Sequence, residues 1–549
     1  MRRWASGGRP ANDAGPLERA ARPVVEAVLA ELRADTLPRL ERPGLLMPAL
    51  ALLQRWHGSI ANGTIAALAR SLGLPESKAY AAATFYSSFT LAGDARKARP
   101  PALDAALESV MGAERAPEAI RSWGIAAPDG RPGGALARCG SIRPESVDDY
   151  RAAGGYAGLQ AALAMPAEAV VEVIRTARLR GRGGAGFPTA AKWDHARAVV
   201  APDKVVICNA AEGDPGAFAD LAILQQDPHS VLEGMAIAGH AVGAARGIVY
   251  IRSEYEDAGE TVRRAAREAS DRGALGSDFT VEVFNGGGRY VCGDETALLN
   301  SMEGAAGRPR LRPPLPTEHG LWGRPTVVDN VKTLALVPLI MRHGSEWFAS
   351  KGTPATTGPA ILAVSGFVRR PGVVEVPMGA TLRQVIDEGC GGMADGAELK
   401  AIQTGGPLGA FLPADAVDTP ICFDAMKAAG SPLGSGGLIV VDHRTCMVAA
   451  SRAFAEFAAA ESCGHCAPCR LGTQQVVLAL RSLMGPGACQ ADLDLVVRME
   501  AAMRSSSFCA YGRSAASVVL SAMRAFADEF AAHAVERRCP ADWCSMEAM

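Results

Sequence analysis

Three cysteines recur with two residues between each in Ser462-Cys463-Gly464-His465-Cys466-Ala467-Pro468-Cys469-Arg470. Thiolates at this pitch can wrap one metal centre, because each turn of backbone returns a sulfur to it. Gly464 relieves the tight backbone, and Pro468 prevents a continuous helix through the run. A fourth ligand has to come from elsewhere. Cys509, in Ser507-Phe508-Cys509-Ala510-Tyr511-Gly512, lies 40 residues after Cys469 (509 − 469) and follows a helical stretch long enough to fold back. The spacing favours a [4Fe–4S] cluster over a structural zinc site, which usually draws on two C-x₂-C pairs, and over unrelated buried cysteines. His465 reads as a neighbour that shields or hydrogen-bonds the cluster, since four thiolates already close the site. The later C-x₄-C pair, Cys539 and Cys544, reads as an exposed tail pair without function rather than a second metal site. No further ligands accompany it in the sequence.

A second chemistry is suggested by glycine. In Leu179-Arg180-Gly181-Arg182-Gly183-Gly184-Ala185-Gly186-Phe187-Pro188-Thr189-Ala190-Ala191-Lys192-Trp193, small residues let backbone amides approach a phosphate or the edge of a flat ring. Phe187 can stack on an aromatic ligand, and Lys192 supplies a cation. The spacing is neither that of a P-loop nor that of a dinucleotide fingerprint. Asn285 to Ala297 leads from a strand into a helix, with Asp294 and Glu295 at the helix start, where carboxylates are favoured; simple capping is the plain alternative. Cys208-Asn209-Ala210-Ala211-Glu212-Gly213-Asp214-Pro215-Gly216 follows a buried-strand run and carries polar side chains to its C-terminal end, where α/β sheets gather ligands. Three such loops in one stretch favour a nucleotide or flavin pocket.

The elements that must position these residues can be read from periodicity. Pro48 to Trp56, Thr64 to Leu72 and Ser77 to Phe85 carry helix-period apolar spacing and suggest a small helical block. The run 1–20 is rich in Gly, Pro and Arg and reads as disordered, and 93–138 as a linker or eroded domain. Lys204 to Cys208 and Gly247 to Ile251 are buried-strand runs separated by helices, as in a sheet layered with helices. Ile361 to Gly366, Gly372 to Val376 and Gly437 to Val441 suggest a small α+β domain, and the chain turns helical again beyond His443.

Composition sets outer limits. The 549 residues suggest three or four domains, and 48% hydrophobic with 21% charged residues is ordinary globular usage. A net charge of −2 gives no basic field for nucleic acid or an anionic membrane. The start MRRWASGGRPANDAG lacks the apolar core of a secretory signal, and no apolar run is long enough to span a bilayer. The expectation is a cytoplasmic protein whose clustered cysteines among thirteen serve metal ligation or catalysis rather than disulfides.

The glycine run Gly181 to Thr189, the Cys292-Gly293-Asp294-Glu295-Thr296 loop and the cysteine run Ser462 to Arg470 occur in that order. Together they resemble the NADH-binding flavoprotein (diaphorase) subunit family of respiratory complex I, NAD-dependent formate dehydrogenases and NAD-reducing hydrogenases, over about residues 139 to 535. The resemblance implies a multidomain α/β protein: a helical segment in 1–92, an FMN- and NADH-binding domain in 139–345, a ubiquitin-like (β-grasp) domain in 346–441 and a helical [4Fe–4S] domain with tail in 442–549. It implies Cys463, Cys466, Cys469 and Cys509 as cluster ligands. It implies FMN and NAD(H) held by Gly181, Arg182, Gly183, Gly184, Gly186, Phe187, Lys192, Asn209, Glu212, Asp214, Tyr290, Gly293, Asp294, Glu295 and Asn330. Glu212 is the residue expected to tune hydride exchange.

Leu45 to Phe89 resembles the helical start of the family's companion thioredoxin-like [2Fe–2S] subunit. Only Cys139 stands between Phe89 and Arg180, so a [2Fe–2S] centre is not expected there, and the helices are left as a docking surface. Departures from the family pattern are Ala211 for an acidic residue, Asp214 and Asp294 for Glu, Leu221 for Arg, Arg312 for Lys and Leu315 for an aromatic. The favoured context is the beta subunit of a soluble NAD-dependent formate dehydrogenase, with a catalytic metal-cofactor subunit and a [2Fe–2S] subunit as partners and without nucleic acid or membrane insertion. The alternatives are the corresponding subunit of complex I or of a hydrogenase, and a structural subunit whose pocket has decayed.

Overall fold

The structure is a computed structural model that describes residues 16–38, 41–86, 88–92, 110–112, 116–117, 119–130, 133–276 and 278–546. Residues 1–15 of the expected disordered start, and much of the expected linker, lie outside the described residues. The strands in chain order are β1 (Ile120–Ser122), β2 (Val205–Ala210), β3 (Arg246–Arg252), β4 (Thr280–Gly286), β5 (Thr326–Asn330), β6 (Pro359–Gly366), β7 (Gly372–Pro377), β8 (Leu399–Thr404), β9 (Ala410–Pro413) and β10 (Gly437–Asp442).

The first sheet has the order β4-β3-β2-β5 and is parallel throughout. Alternation along its strands assigns the faces. Val206, Cys208, Val249, Ile251 and Val327 enter one core, with Trp193 and the helices Pro228–Val242 and Val331–His343. Val205, Ile207, Ile248, Tyr250 and Val328 enter another, with the helix Glu295–Met302. Parallel sheets need both faces covered. The second face is covered by the N-terminal helices Leu46–His57, Asn62–Ser71 and Glu76–Phe85, which bring Leu46, Leu50, Leu68 and Tyr86 into that core. The helices expected to offer a docking surface are thus docked on their own chain.

The second sheet has the order β1-β7-β6-β10-β8-β9, with mixed parallel and antiparallel pairs. Its edge strand β1 comes from the stretch read as a linker. It is joined there by Glu375 of β7, which accepts from the amides of Ala135 at 2.8 Å and Leu136 at 3.1 Å. Beyond β10 the chain is helical, in Met447–Glu461, Ala467–Leu483, Gln490–Ser506 and Ser517–Ala525. Phe454, Leu480, Met503 and Val519 form its core.

Candidate functional site

In the parallel sheet the order reverses at β2: the chain runs outward through β3 and β4, then returns to lay β5 on the other side. Crossovers diverge at such a point and leave a crevice at the carboxyl ends of the strands. Asn209 on β2 and Asn330 on β5 are register partners there. The loop after Leu179 folds over them. It is closed by the Gly181 amide donating to Phe187 O at 2.9 Å. A Cβ on Gly183 would stand 3.0 Å from Cβ of Asn330, so glycine permits the close approach. Gly184 and Gly186 have φ of +128° and +63°. Asn209 Nδ2 donates to Gly293 O at 3.0 Å, tying the third loop to the same edge.

Under the crevice lies a closed polar network. Lys332 Nζ meets Asp220 Oδ1 at 2.5 Å and Glu212 Oε1 at 4.0 Å, and Asn330 Nδ2 donates to Asp220 Oδ2 at 2.6 Å. The Glu212 carboxylate accepts from the amides of Asp220 at 2.8 Å and Leu221 at 3.0 Å. Its side chain is fully enclosed. Burial, reinforced by the charge of Asp220 and opposed by Lys332, pushes Glu212 up to about 7. Asp214 is also buried, which raises its pKa, and takes hydrogen bonds from Ser435 and Tyr290.

The cations divide into two kinds. Lys192 Nζ donates to Val328 O at 2.5 Å and Asp329 Oδ1 at 3.1 Å. Trp193 Nε1 holds the other oxygen of Asp329 at 2.7 Å. Burial opposes the Lys192 charge, but Asp329 and Glu295 more than offset it and raise the pKa. Arg182 is enclosed and donates to the carbonyls of Arg180 and Thr357, with no hydrogen-bond partner for Nε. Burial, then the charge of Arg180, push Arg182 down to about 9. A guanidinium remains charged and calls for an anion. Phe187, on the same loop, is 55% exposed.

The Tyr290 loop joins this crevice to the cysteines. The Tyr290 amide donates to Glu461 Oε2 at 2.9 Å, two residues before Cys463. Its ring centroid is 5.3 Å from those of both Phe457 and Tyr511. Asp294 caps the helix Glu295–Met302 by accepting from Thr296 at 2.9 Å and Ala297 at 3.2 Å. Arg312 pairs with Asp294 at 3.3 Å and with Glu295 at 3.1 Å. Asp294 thus caps this helix from the loop that Asn209 ties to the crevice.

Cys463, Cys466, Cys469 and Cys509 converge. Cys466 is the N-cap of Ala467–Leu483 and Cys509 that of Ala510–Ser514. Helix N-termini favour thiolate charge. Burial, then the other three cysteines of the group, push Cys469 up to about 11, a repulsion that bound metal would relieve. A Cβ on Gly512 would meet Cys469 Cβ at 3.2 Å and Ser507 Cβ at 2.7 Å, so glycine lets the fourth ligand's segment approach. His465 packs on Phe508, with ring centroids 5.5 Å apart. Cys539 and Cys544 depart from expectation. Cys539 is 4% exposed, and Cys446 and His533 accompany the pair. Distant segments supply those companions, which a local pattern does not reveal.

Sequence reasoning passed over Lys332, Asp220, Asp329 and Ser435. Lys332 did leave a signal: one cation within the apolar run Val331 to Met341, where burial demands a partner.

The chain matches four family models: the Nuo51 FMN-binding domain over residues 174–339, the SLBB domain over 361–411, the NADH-ubiquinone oxidoreductase-F iron–sulfur binding region over 449–533, and the thioredoxin-like [2Fe–2S] ferredoxin over 33–98. Residues 33–98 contain no cysteine. The chain is 43% identical over 418 residues to the NADP-reducing hydrogenase subunit HndC of Solidesulfovibrio fructosivorans, covering 75% of this chain and 85% of that one. It is 42% identical over 402 residues to an F-type subunit of the NADH-quinone oxidoreductase of Rhizobium meliloti, covering 72% and 96%. Its fold is similar to a chain of an NAD⁺-reducing [NiFe]-hydrogenase in the H₂-reduced state, with TM-score 0.72 and 30% identity over 90% of this chain and 94% of that one.

Proposed function

This chain belongs to the family of NADH-quinone oxidoreductase F-type subunits and hydrogenase diaphorase subunits, oxidoreductases that work with FMN, NAD(H) and a [4Fe–4S] cluster, and from that membership we propose that it exchanges electrons between NAD(H) and a larger redox complex. FMN, when bound, converts between the electron pair of a hydride and the single electrons that a [4Fe–4S] cluster carries. The residues of the crevice fit that cofactor. Gly183 and Gly184 leave room for it, and Asn209 and Asn330 edge the strand ends beside the loop that carries Arg182. We assign Gly181, Gly186, Phe187, Lys192, Asp214, Tyr290, Gly293, Asp294 and Glu295 to the same pocket. Glu212 acts on hydride exchange as a positioning residue, through Asp220, Lys332 and Asn330. Cys463, Cys466, Cys469 and Cys509 are the cluster ligands in this reading.

The observation that carries the proposal is the bridge between the two halves. Tyr290 touches Glu461 through its amide and Tyr511 through its ring, so the crevice loop and the cysteine loops share contacts. Short separation is what electron exchange between two cofactors needs. Among the described residues no helix is long and apolar enough to cross a membrane.

For the wider assembly we propose a cytoplasmic NAD-linked complex in which a separate metal-cofactor subunit oxidises formate, with a thioredoxin-like [2Fe–2S] subunit between them. The fused N-terminal helices support a diaphorase of this kind, because the Rhizobium meliloti relative aligns over nearly all its own length yet only 72% of this chain. Dihydrogen as the reductant is the second reading, favoured by the hydrogenase chain that covers 90% of this one. The test is to purify the chain with its natural partners and compare formate- and dihydrogen-driven NAD⁺ reduction, together with flavin content and NADH–ferricyanide activity. Bound iron without flavin or dye reduction would leave only the structural-subunit reading.

A further inference from the structure

Four side chains meet at the base of the helical domain: Cys446, His533, Cys539 and Cys544. Their ligand atoms all lie within 4.8 Å of one another. Cys446 Sγ stands 3.6 Å from His533 Nε2 and 3.6 Å from Cys544 Sγ. We propose that these four residues bind one zinc ion, separate from the iron–sulfur cluster. The separations suit it: a tetrahedral ion with Zn–S of about 2.3 Å and Zn–N of about 2.0 Å holds its ligand atoms roughly 3.5–3.8 Å apart. They do not suit a disulfide, whose sulfurs lie about 2.05 Å apart. A cubane interposes iron and sulfide between its ligands and spreads the thiolates further than this. Of the four, only His533 falls within the span 449–533 matched by the iron–sulfur model, whereas Cys463, Cys466, Cys469 and Cys509 all do.

The histidine is prepared as a ligand. His533 Nδ1 lies 2.8 Å from Glu529 O, and a carbonyl can only accept, so Nδ1 carries the proton. Nε2 is left with its lone pair turned toward Cys446. A histidine that ligates metal through one nitrogen usually anchors the other in this way. Cys446 is likewise prepared. It is the N-cap of Met447–Glu461, and its sulfur lies 3.4 Å from the Ala449 amide, a donor that favours thiolate.

The backbone is bent to complete the set. His533 sits in a π-helical turn, Ala532–Glu536, a distortion that often marks functional positions. Arg537 and Asp542 take φ of 53° and 51°, the left-handed region that non-glycine residues seldom occupy. These two reversals turn Cys539 and then Cys544 back toward Cys446, and an ion bound by all four would offset the strain. Four protein ligands leave no open position, so the site is structural. It would pin the chain after the last helix to the junction where β10 gives way to Met447–Glu461, the helix that leads to the cysteine run.

The full-length chain, isolated from cells supplied with zinc and separated from its iron-carrying partners, should contain one zinc beside about four iron atoms. Its zinc K-edge spectrum should fit three sulfur neighbours near 2.3 Å and one nitrogen near 2.0 Å. The variants Cys544→Ser and His533→Ala should each lose at least four-fifths of the zinc, keep their iron and the cluster's electron paramagnetic resonance, and become sensitive to proteolysis after residue 536. Wild-type protein without zinc overturns the proposal, as does a zinc shell of different composition or zinc retained by both variants. If neither variant folds, the metal content and spectrum of the wild-type protein decide the matter.

Discussion

Asn209 and Asn330 stand opposite one another on neighbouring parallel strands, at the one place where the sheet order reverses. Each is engaged on its far side. Asn209 reaches Gly293 O, and Asn330 reaches Asp220 and caps the helix Val331–His343 through the Lys332 amide at 3.0 Å. Asn330 therefore links crevice, buried network and helix end. Asn330→Ala should remove a cap contributing about 1 kcal/mol and lower the melting temperature by a few degrees. Flavin content, read from absorbance near 450 nm, should fall below half. Full flavin with unchanged melting would remove the crevice from consideration as the flavin site.

Gly183→Ala tests the same place by volume alone. Its Cβ would press on Cβ of Asn330 at 3.0 Å, tighter than ordinary contact. We expect flavin affinity to weaken about tenfold, a loss of about 1.4 kcal/mol. Iron content should stay unchanged, because Gly183 is remote in sequence and role from the cysteine run. Equal loss of iron and flavin would point to misfolding instead.

Lys332→Met should strand the buried Asp220 and cost about 3–5 kcal/mol, the usual penalty for breaking an enclosed ion pair from one side. The double variant Lys332→Met with Asp220→Asn should recover much of it, as measured by chemical denaturation. Additive losses would show that the pair is not coupled.

Glu212 makes stability depend on pH with a definite sign. Burial and Asp220 raise its pKa from 4.5 to about 7, so the folded state holds a proton that the unfolded state releases. The stability this contributes is complete below about pH 4.5 and is lost as pH rises through 7, up to about 3 kcal/mol in all. Wild-type melting temperature should fall between pH 5 and pH 8 more steeply than that of Glu212→Gln. Parallel pH profiles would assign the proton elsewhere.

Cys509→Ser should lose or convert the cluster, seen as altered electron paramagnetic resonance and iron below about four atoms per chain. NADH–ferricyanide activity should largely persist, since the dye can take electrons ahead of the cluster. An unchanged cluster spectrum would exclude Cys509 as a ligand.

Much of the fold was legible because it is written locally. Short continuous apolar runs mark β2 and β3, helical period marks Leu46–His57, and turn residues bracket the strands β6, β7 and β10. The cysteine run Cys463 to Cys469 and the glycine run Gly181 to Gly186 are visible for the same reason, since a short loop must carry its whole pattern in consecutive residues. Lys332 gave a sign without an address: a charge in an apolar helix requires a partner, but nothing nearby says that the partner is Asp220.

By itself, then, the sequence determined the more strongly patterned elements, the loops with chemistry in them and the family to which they belong, all properties of neighbouring residues, while edge strand β1 escaped it. Tertiary structure alone decided which face of the sheet the N-terminal helices cover, which loop meets the cysteines through Tyr290, and that Cys446 joins His533, Cys539 and Cys544. Cys446 and His533 are 87 residues apart. Their meeting depends on how whole helices pack, and packing is set by the combined burial of many apolar side chains rather than by any short pattern.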